Sequence, residues 1–201
     1  MDKTKIVDLI PTTDKCTYTS CYCEENVWKL CEHVKERNPD KLSYCYCVFI
    51  SNDNKQIPLW YQKSSSALDG VVVWDYHVIF IYNEDDISLV FDLDTKLPFP
   101  CDFTEYAAKG IRPNITVKKQ YHRKFRVIPG LEFLSTFASD RSHMMDANKH
   151  WLSEPPSYPC LQTSDSTNNI HNFISMDPAV GVGVVLNFEG LVEKFSVKPK
   201  N

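Results

Sequence analysis

The fold is decided by residues 71–81, which read VVVWDYHVIFI and place a single histidine inside an apolar run. This composition is typical of a buried β-strand, along which side chains point alternately to opposite faces. The alternation puts Asp75 and His77 on one face and Trp74 on the other. His77 therefore has a defined side, and a histidine held in this way can act as a general base.

The residues that follow predict a β-hairpin that brings a carboxylate to His77. A second strand is predicted at 87–94, which reads ISLVFDLD. A two-residue loop at 84–85 would set His77 directly opposite Asp92. Asp94 shares a face with Asp92 and lies one diagonal step away, so the face alone leaves both open. The register favours Asp92.

An amphipathic helix upstream supplies the candidate nucleophile. Apolar positions recur with helical spacing at Val27, Leu30, Cys31 and Val34. Cys23 precedes them by one turn, on the core-facing side of the first turn, with Ser20 as the predicted N-cap. Amides and the helix dipole at such a position lower a thiol's pKa and can hold an oxyanion. From residue types alone, a packed cysteine, a strand histidine and a turn aspartate remain open alternatives.

Several longer motifs occur in order along the chain. They are SCYCEENVWKLC at 20–31, WDYHV at 74–78, FDLDT at 91–95, LPFP at 97–100, KFRVI at 124–128, SDRSHM at 139–144 and FISM at 173–176. On these motifs the chain resembles the protein N-terminal glutamine amidohydrolase family, the WDYHV-motif proteins, over nearly its whole length. The resemblance implies a catalytic triad of Cys23, His77 and Asp92. Residues 1–15 and 63–70 match no motif of that family.

The resemblance also implies the reaction. The family hydrolyses the side-chain carboxamide of an N-terminal glutamine, giving glutamate and ammonia. Cys23 would form a thioester, His77 would move the protons, and Asp92 would orient the imidazole. The Cys23 amide and a second, unnamed group would hold the oxyanion. No metal or organic cofactor is expected, and the family's place in the N-degron pathway implies the cytosol and the nucleus.

Restricting the reaction to the first residue requires acceptors for the substrate's α-ammonium group. Asp75 is the first candidate, because it shares the predicted face of His77, although a surface ion pair would explain it equally well. The weaker candidates are Tyr22, Ser20, Trp74 and Asp140. Trp74 is predicted to face away from His77, which also suits a place in the core.

Composition indicates one compact domain. With 201 residues and 43% hydrophobic content, we expect a single catalytic domain over 1–201, poorly ordered at 1–15. The first residues lack the apolar stretch of a signal peptide, and no run has transmembrane length. The eight cysteines are therefore interpreted as free thiols in a reducing compartment. We expect a monomer whose partners are transient peptide substrates, with no membrane contact.

Three other kinds of site are not favoured. The two Cys-x-Cys pairs, at 21/23 and 45/47, are closer together than the usual zinc-binding pair. The basic stretch 118–126 has the alternation of a solvated strand and lies in a chain of net charge −4, which argues against nucleic acid. The sequence GVGVVL at 181–186 lacks the third glycine of a dinucleotide fingerprint and predicts a turn before a strand.

Three rival functions stay open. The first is another thiol enzyme on the same fold, either a transglutaminase or a peptidase, which mass spectrometry of the products would distinguish. The second is a module that binds N-terminal residues without turnover. The third is a zinc-stabilised interaction protein, which would bind stoichiometric metal and unfold with a chelator.

The predicted elements point to the α+β class. They are a helix at 23–36, strands at 42–50, 56–62, 71–82 and 87–94, short helices at 103–109 and 131–137, a strand at 125–128, and a loop at 153–169. The four early strands are expected to form an antiparallel meander. A helix that carries Cys23 at its N-terminus and packs on an antiparallel sheet is similar to the papain and transglutaminase arrangement.

Overall fold

A computed structural model describes residues 9–197 of the chain. The helices are α1 (Cys23–Arg37), α2 (Phe103–Tyr106), α3 (Gly130–Thr136), α4 (Ile170–Ile174) and α5 (Phe188–Phe195). The strands are β1 (Cys45–Ser51), β2 (Ile57–Leu59), β3 (Val72–Trp74), β4 (His77–Glu84), β5 (Ile87–Phe91), β6 (Cys101–Asp102), β7 (Lys124–Pro129) and β8 (Val184–Leu186). No helix in this part of the chain is both long enough and apolar enough to cross a bilayer.

The strands form an antiparallel sheet, which confirms the α+β class. Six strands lie in the order β6-β5-β4-β1-β7-β8, and β2 and β3 form a separate two-stranded sheet. The predicted meander is therefore wrong, because β1 pairs directly with β4. Pro58 in β2 has no amide to donate, which confines its strand to an edge and keeps it out of the central sheet.

The strand predicted at 71–82 is two strands separated by a bend. β3 ends at Trp74, and β4 begins at His77. At the bend, the Asp75 carbonyl accepts a hydrogen bond from the Ser51 hydroxyl at 2.9 Å, and the Asp75 carboxylate accepts the Tyr76 amide at 2.9 Å. The alternation of faces predicted across this stretch therefore does not hold.

The hairpin between β4 and β5 exists, but its register differs from the prediction by two residues. Glu84 pairs with Ile87, so the two-residue loop is at 85–86. Asp85 adopts a φ of 50°, a left-handed conformation that aspartate tolerates better than most residues. As a result, Asp92 lies just beyond the end of β5 and is not directly opposite His77.

Helix α1 packs on one face of the sheet and confirms the helical pattern of the sequence. Its buried residues are Glu24, Glu25, Asn26, Val27, Leu30, Cys31 and Val34. The apolar members of this set join a hydrophobic cluster with residues of β1, β4, α3 and α4, while α2 and α5 cover the opposite face with a second cluster. Most of the apolar stabilisation thus lies in two layers on either side of one sheet.

The start of α1 is set by a side chain inside the helix. The prediction of Ser20 as the N-cap is wrong: the N-cap residue is Tyr22, whose side chain makes no capping hydrogen bond. The Asn26 side chain instead accepts the Thr19 amide at 2.8 Å and donates to the Thr19 carbonyl at 2.9 Å. Cys21 turns the chain with a φ of 69°. This turn fixes Cys23 as the first helical residue.

The remaining predicted elements agree with the structure in type. α3 and β7 match the predicted helix and strand, and the helix predicted at 103–109 is α2 followed by a π-helical turn at Ala107–Ile111. The glycine turn precedes β8, as predicted; Gly183 has a φ of 74°, and a Cβ there would lie 2.4 Å from the Val127 carbonyl oxygen.

The segment predicted to be poorly ordered, 1–15, is described only in part. Residues 1–8 lie outside the described residues. Leu9 and Ile10 are buried in the hydrophobic cluster beneath α1. A short 3₁₀ turn follows at Thr13–Lys15.

Candidate active site

Cys23 and His77 line one cavity of about 850 Å³. Cys23 enters it from the first residue of α1, and His77 from the first residue of β4. Helix α1 packs directly against β4, so the element that carries the thiol and the element that carries the imidazole are neighbours. The structure therefore brings together the two residues that the sequence places on separate elements.

Asp92 holds the His77 ring. Asp92 Oδ1 lies 3.0 Å from His77 Nε2, and both side chains are 1% exposed. The Tyr106 hydroxyl donates to Asp92 Oδ2 at 2.7 Å, and the Asp94 amide donates to Oδ1 at 2.9 Å. Because Nε2 is engaged with the carboxylate, Nδ1 is the ring nitrogen that can accept a proton from a thiol.

The pair has the electrostatics of a base and its orienting carboxylate. Burial alone would lower the pKa of His77, but the charge and hydrogen bond of Asp92 outweigh it and raise the pKa above the usual 6.5. Burial alone would raise the pKa of Asp92. The charge of His77 and the hydrogen bonds from His77 and Tyr106 outweigh this effect and keep the pKa of that carboxyl below its ordinary value. Asp92 is thus held ionised although its side chain is buried.

The thiol is less acidic than the sequence suggests. Burial raises the pKa of Cys23 well above its ordinary value, Glu24 and Asp94 add to this effect, and only the Val78 amide opposes it. The prediction of a lowered pKa is therefore wrong, since burial and nearby carboxylates outweigh the helix terminus. A thiol of this kind keeps its proton at neutral pH until a base removes it.

A second carboxylate, Asp94, also lines the cavity. The Tyr18 hydroxyl donates to its Oδ1 at 2.6 Å. Burial raises the pKa of Asp94, His77 opposes this, and the charge of Asp92 adds to it. The hydrogen bond from His77 goes to Asp92, although the strand register that favoured Asp92 in the sequence is not the one observed.

Glu24 is a buried carboxylate next to the thiol, and no motif or spacing in the sequence indicates a role for it in the site. It is 0% exposed, and its Oε2 accepts the Tyr76 hydroxyl at 3.0 Å. Among the described residues, Glu24 Oε1 has no hydrogen-bond partner, and His143 Nε2 lies 3.5 Å from it. Tyr76 and His143 both line the cavity, so this cluster forms the wall beside Cys23.

Glu25 fixes a distant loop to the start of α1. Arg141 Nε and Nη2 donate to the two Glu25 carboxylate oxygens at 2.8 Å each, and both side chains are buried. Arg141 also donates to the carbonyls of Pro156 and Tyr158 at 3.0 Å. This bidentate pair anchors the SDRSHM segment and with it the position of His143.

The substrate-contact candidates divide into two groups. Ser20, Trp74 and Asp75 line the cavity, and the Trp74 ring stacks on His77 with centroids 5.6 Å apart. The prediction that Trp74 faces away from His77 is wrong, because the bend between β3 and β4 interrupts the alternation of side chains and brings the Trp74 ring onto the His77 ring. Tyr22 and Asp140 are not part of the cavity lining.

The two outlying candidates have structural contacts instead. Tyr22 is buried, and its hydroxyl donates to the Ser153 carbonyl at 3.1 Å. Asp140 Oδ1 accepts the Ser142 amide at 2.9 Å and the Asn168 side chain at 2.7 Å. Both contacts hold loops that surround the cavity.

One group of side chains lies close enough together to bind a metal ion. Within residues 9–197, the single such group is His77, Asp92 and Asp94, whose ligand atoms lie within 4.8 Å of one another. The hydrogen bonds from His77, Tyr106 and Tyr18 already use these carboxylates. All eight cysteines are free thiols, and Cys45 and Cys47 are buried as packing residues of β1.

Sequence comparison identifies the family. The profile described as "N-terminal glutamine amidase" matches residues 18–195. The chain belongs to this family. It is 49% identical to a protein of Bos taurus over 92% of the chain and 90% of that protein, and 49% identical to one of Danio rerio over 94% of each. It is 47% identical to one of Homo sapiens over 94% of the chain and 92% of that protein. All three are named protein N-terminal glutamine amidohydrolase.

Membership confirms the resemblance on which the sequence analysis relied. The matched range includes all three predicted triad residues, of which Cys23 and His77 line the cavity. It also confirms that the chain is an enzyme, a hydrolase that acts on an amide.

Proposed function

We propose that this enzyme deamidates the side chain of an N-terminal glutamine in peptides and proteins, with Cys23 as nucleophile, His77 as base and Asp92 as the residue that orients the base. The observation that carries the proposal is the hydrogen bond of 3.0 Å between His77 Nε2 and the buried Asp92 Oδ1, because His77 lines the same cavity as Cys23. The names of its relatives supply the substrate.

The first half-reaction forms a thioester. His77 Nδ1 takes the proton of Cys23 as Sγ attacks the carboxamide carbon, and the same proton then passes to the departing ammonia. Because burial raises the pKa of the Cys23 thiol, His77 has to remove its proton for Sγ to attack. The Cys23 amide, at the N-terminus of α1, is placed to donate to the oxyanion.

The second half-reaction releases the product. Water attacks the thioester carbonyl and gives a proton to His77, Sγ leaves, and the proton returns to the thiol. Asp92, held by Tyr106, keeps the imidazole in one tautomer and stabilises its charged form. The product is an N-terminal glutamate, and no metal or organic cofactor takes part in the scheme.

The proposal also covers the pathway and the cellular location of the enzyme. The family's role in the N-degron pathway, in which the new N-terminal glutamate marks a protein for degradation, would place this enzyme in the cytosol and the nucleus. A single α+β domain of the papain and transglutaminase type, acting as a monomer on transient substrates, would suffice for this task.

The test is mass spectrometry of three peptides of otherwise equal sequence, with glutamine first, glutamine second or asparagine first. The proposal expects a gain of about one dalton for the first peptide alone, since hydrolysis replaces NH₂ by OH. A shortened peptide would indicate a peptidase, and retention of an added amine would indicate a transglutaminase. No change in any peptide would contradict the proposed function.

A further inference from the structure

Asp94 is a carboxylate in the active-site cavity that the triad does not use. One of its oxygens lies within 4.8 Å of a ring nitrogen of His77. Its Oδ1 accepts the hydroxyl of Tyr18, which also lines the cavity. This leaves Oδ2 as the oxygen that can accept a hydrogen bond from a ligand.

The separation of Asp94 and His77, which is at most 4.8 Å, is comparable to the length of a glutamine side chain. In glutamine, the carboxamide carbon and the α-nitrogen are separated by four bonds, or at most about 5 Å. His77 must lie within hydrogen-bond reach of the thiol that attacks this carbon. A carboxylate within 4.8 Å of His77 is therefore within reach of the α-ammonium group of a glutamine attacked by Cys23.

The charges around Asp94 favour a cation. Asp92 and Glu24 are buried carboxylates of the same site, and burial makes the ionised form of Asp94 costly without a positive partner. Lys63 also lines the cavity and its charge favours the ionised form of Asp94, but its ammonium donates to the Leu93 carbonyl at 2.8 Å. A substrate ammonium would add a hydrogen-bonded positive partner inside the cavity.

Asp75, the candidate favoured by the sequence, is less suited to this role. Its side chain is exposed, and its Oδ1 already accepts the amide of Tyr76. Ion pairs in contact with solvent contribute little, because water screens both charges. Asp94 is half-buried and is held from one side by Tyr18.

We propose that Asp94 binds the α-ammonium group of the substrate's first residue, and that Tyr18 positions the carboxylate. This inference rests on the proposed function and names the residue that restricts it to the N-terminus. A glutamine inside a chain has an amide nitrogen in place of the ammonium and forgoes this interaction. Asp94 is thus a specificity residue rather than a further acid or base.

The test compares two substrates that differ only in the α-amino group. One peptide begins with glutamine, and the other begins with a glutaramoyl group, which is glutamine without its α-amino group. The measured quantity is the ratio of kcat/KM for the two peptides. Any effect of Asp94 on the charge of His77 changes both rates alike and cancels in the ratio.

Wild type is expected to prefer the peptide with the free amine, and Asp94→Asn to reduce this preference by about 10-fold or more. Asparagine has the same shape as aspartate, and the backbone amide of residue 94 can still donate to Asp92, so the fold should persist. Asp94→Ser is a second variant. The inference is tested on whichever variant has the melting temperature of wild type. Asp53→Asn, on the exposed surface, controls for the loss of one negative charge.

A preference that persists in Asp94→Asn would overturn the inference, as would a loss seen in Asp75→Asn instead. Equilibrium affinities of both peptides, measured in the Cys23→Ala background with and without Asp94→Asn, give the same comparison without turnover. Failure of the proposed function is distinguishable, because wild type would then leave the glutamine peptide unchanged.

Discussion

The hydroxyl of Tyr106 is expected to stabilise both the fold and the triad. It donates to Asp92 Oδ2 at 2.7 Å, and neither side chain reaches solvent. Tyr106→Phe removes this donor and leaves a buried, ionised oxygen without it. A hydrogen bond to a charged group contributes about 1.5–3 kcal/mol, so we expect the free energy of unfolding to fall by about 2 kcal/mol. In a chain of this size, that corresponds to a decrease in Tm of about 4–8 °C.

The assay is urea unfolding followed by circular dichroism, together with steady-state kinetics on the glutamine peptide. We expect kcat to fall with KM nearly unchanged, because the hydroxyl acts on the orientation of the base and not on substrate binding. Tyr44→Phe, whose side chain is partly exposed at the surface, should change stability by less than about 0.5 kcal/mol. Wild-type stability in Tyr106→Phe would refute the view that this hydroxyl supports a buried charge on Asp92.

Three further predictions concern the same site. Asp92→Asn should lower kcat/KM by about a thousandfold or more, whereas Asp94→Asn should be milder; the reverse ranking in steady-state rates would assign the orienting role to Asp94. Because His77 is protonated below its raised pKa and then cannot accept the thiol proton, kcat/KM should fall with decreasing pH through a value above 6.5. In Asp92→Asn, the pH at which kcat/KM falls should be lower, because Asp92 raises the pKa of His77. A pH–rate profile that does not move in this variant would show that Asp92 does not raise the pKa of the base. Arg141→Met leaves the buried charge of Glu25 without its partner and should lower the free energy of unfolding in urea by about 3–5 kcal/mol. Adding Glu25→Gln should restore part of this loss. Equal losses in the single Arg141→Met variant and in the double variant would argue against a coupled pair.

The parts of the fold that depend on local periodicity were predictable from the sequence. The spacing of Val27, Leu30 and Val34 indicates α1, and the start of that helix follows to within a residue. The two β-runs at His77 and Asp92 predict a hairpin in the same way. In each case, the residues that carry the signal lie within one element.

The sheet order depends on contacts that no local pattern encodes. The bend at Asp75 is fixed by Ser51, which lies 24 residues away in the chain. That bend ends β3, turns Trp74 onto His77, and lets β4 pair with β1. The hairpin register was missed for a related reason, because Glu-Asp and Asp-Asp are equally unremarkable turn pairs, and only the packed sheet selects between them.

The supporting residues of the site were beyond sequence reasoning for the same reason. Tyr106 is an ordinary aromatic residue of a short helix until the fold brings it to Asp92. Glu24 and Glu25 look like exposed acidic residues that complement a helix dipole, yet both are fully buried. Their partners, His143 and Arg141, lie more than 100 residues further along the chain, in a motif whose role only the three-dimensional contacts explain.

The claim that Cys23 is the nucleophile is tested most directly by a pair of matched cysteine variants. Cys21 also lines the cavity, is exposed and lies only two residues away. The measurement is the rate of ammonia release from a glutamine-first peptide by Cys23→Ala and Cys21→Ala, with melting temperatures to verify the fold. We expect no turnover by Cys23→Ala and substantial turnover by Cys21→Ala. Turnover by a folded Cys23→Ala variant at a rate near that of wild type would contradict it.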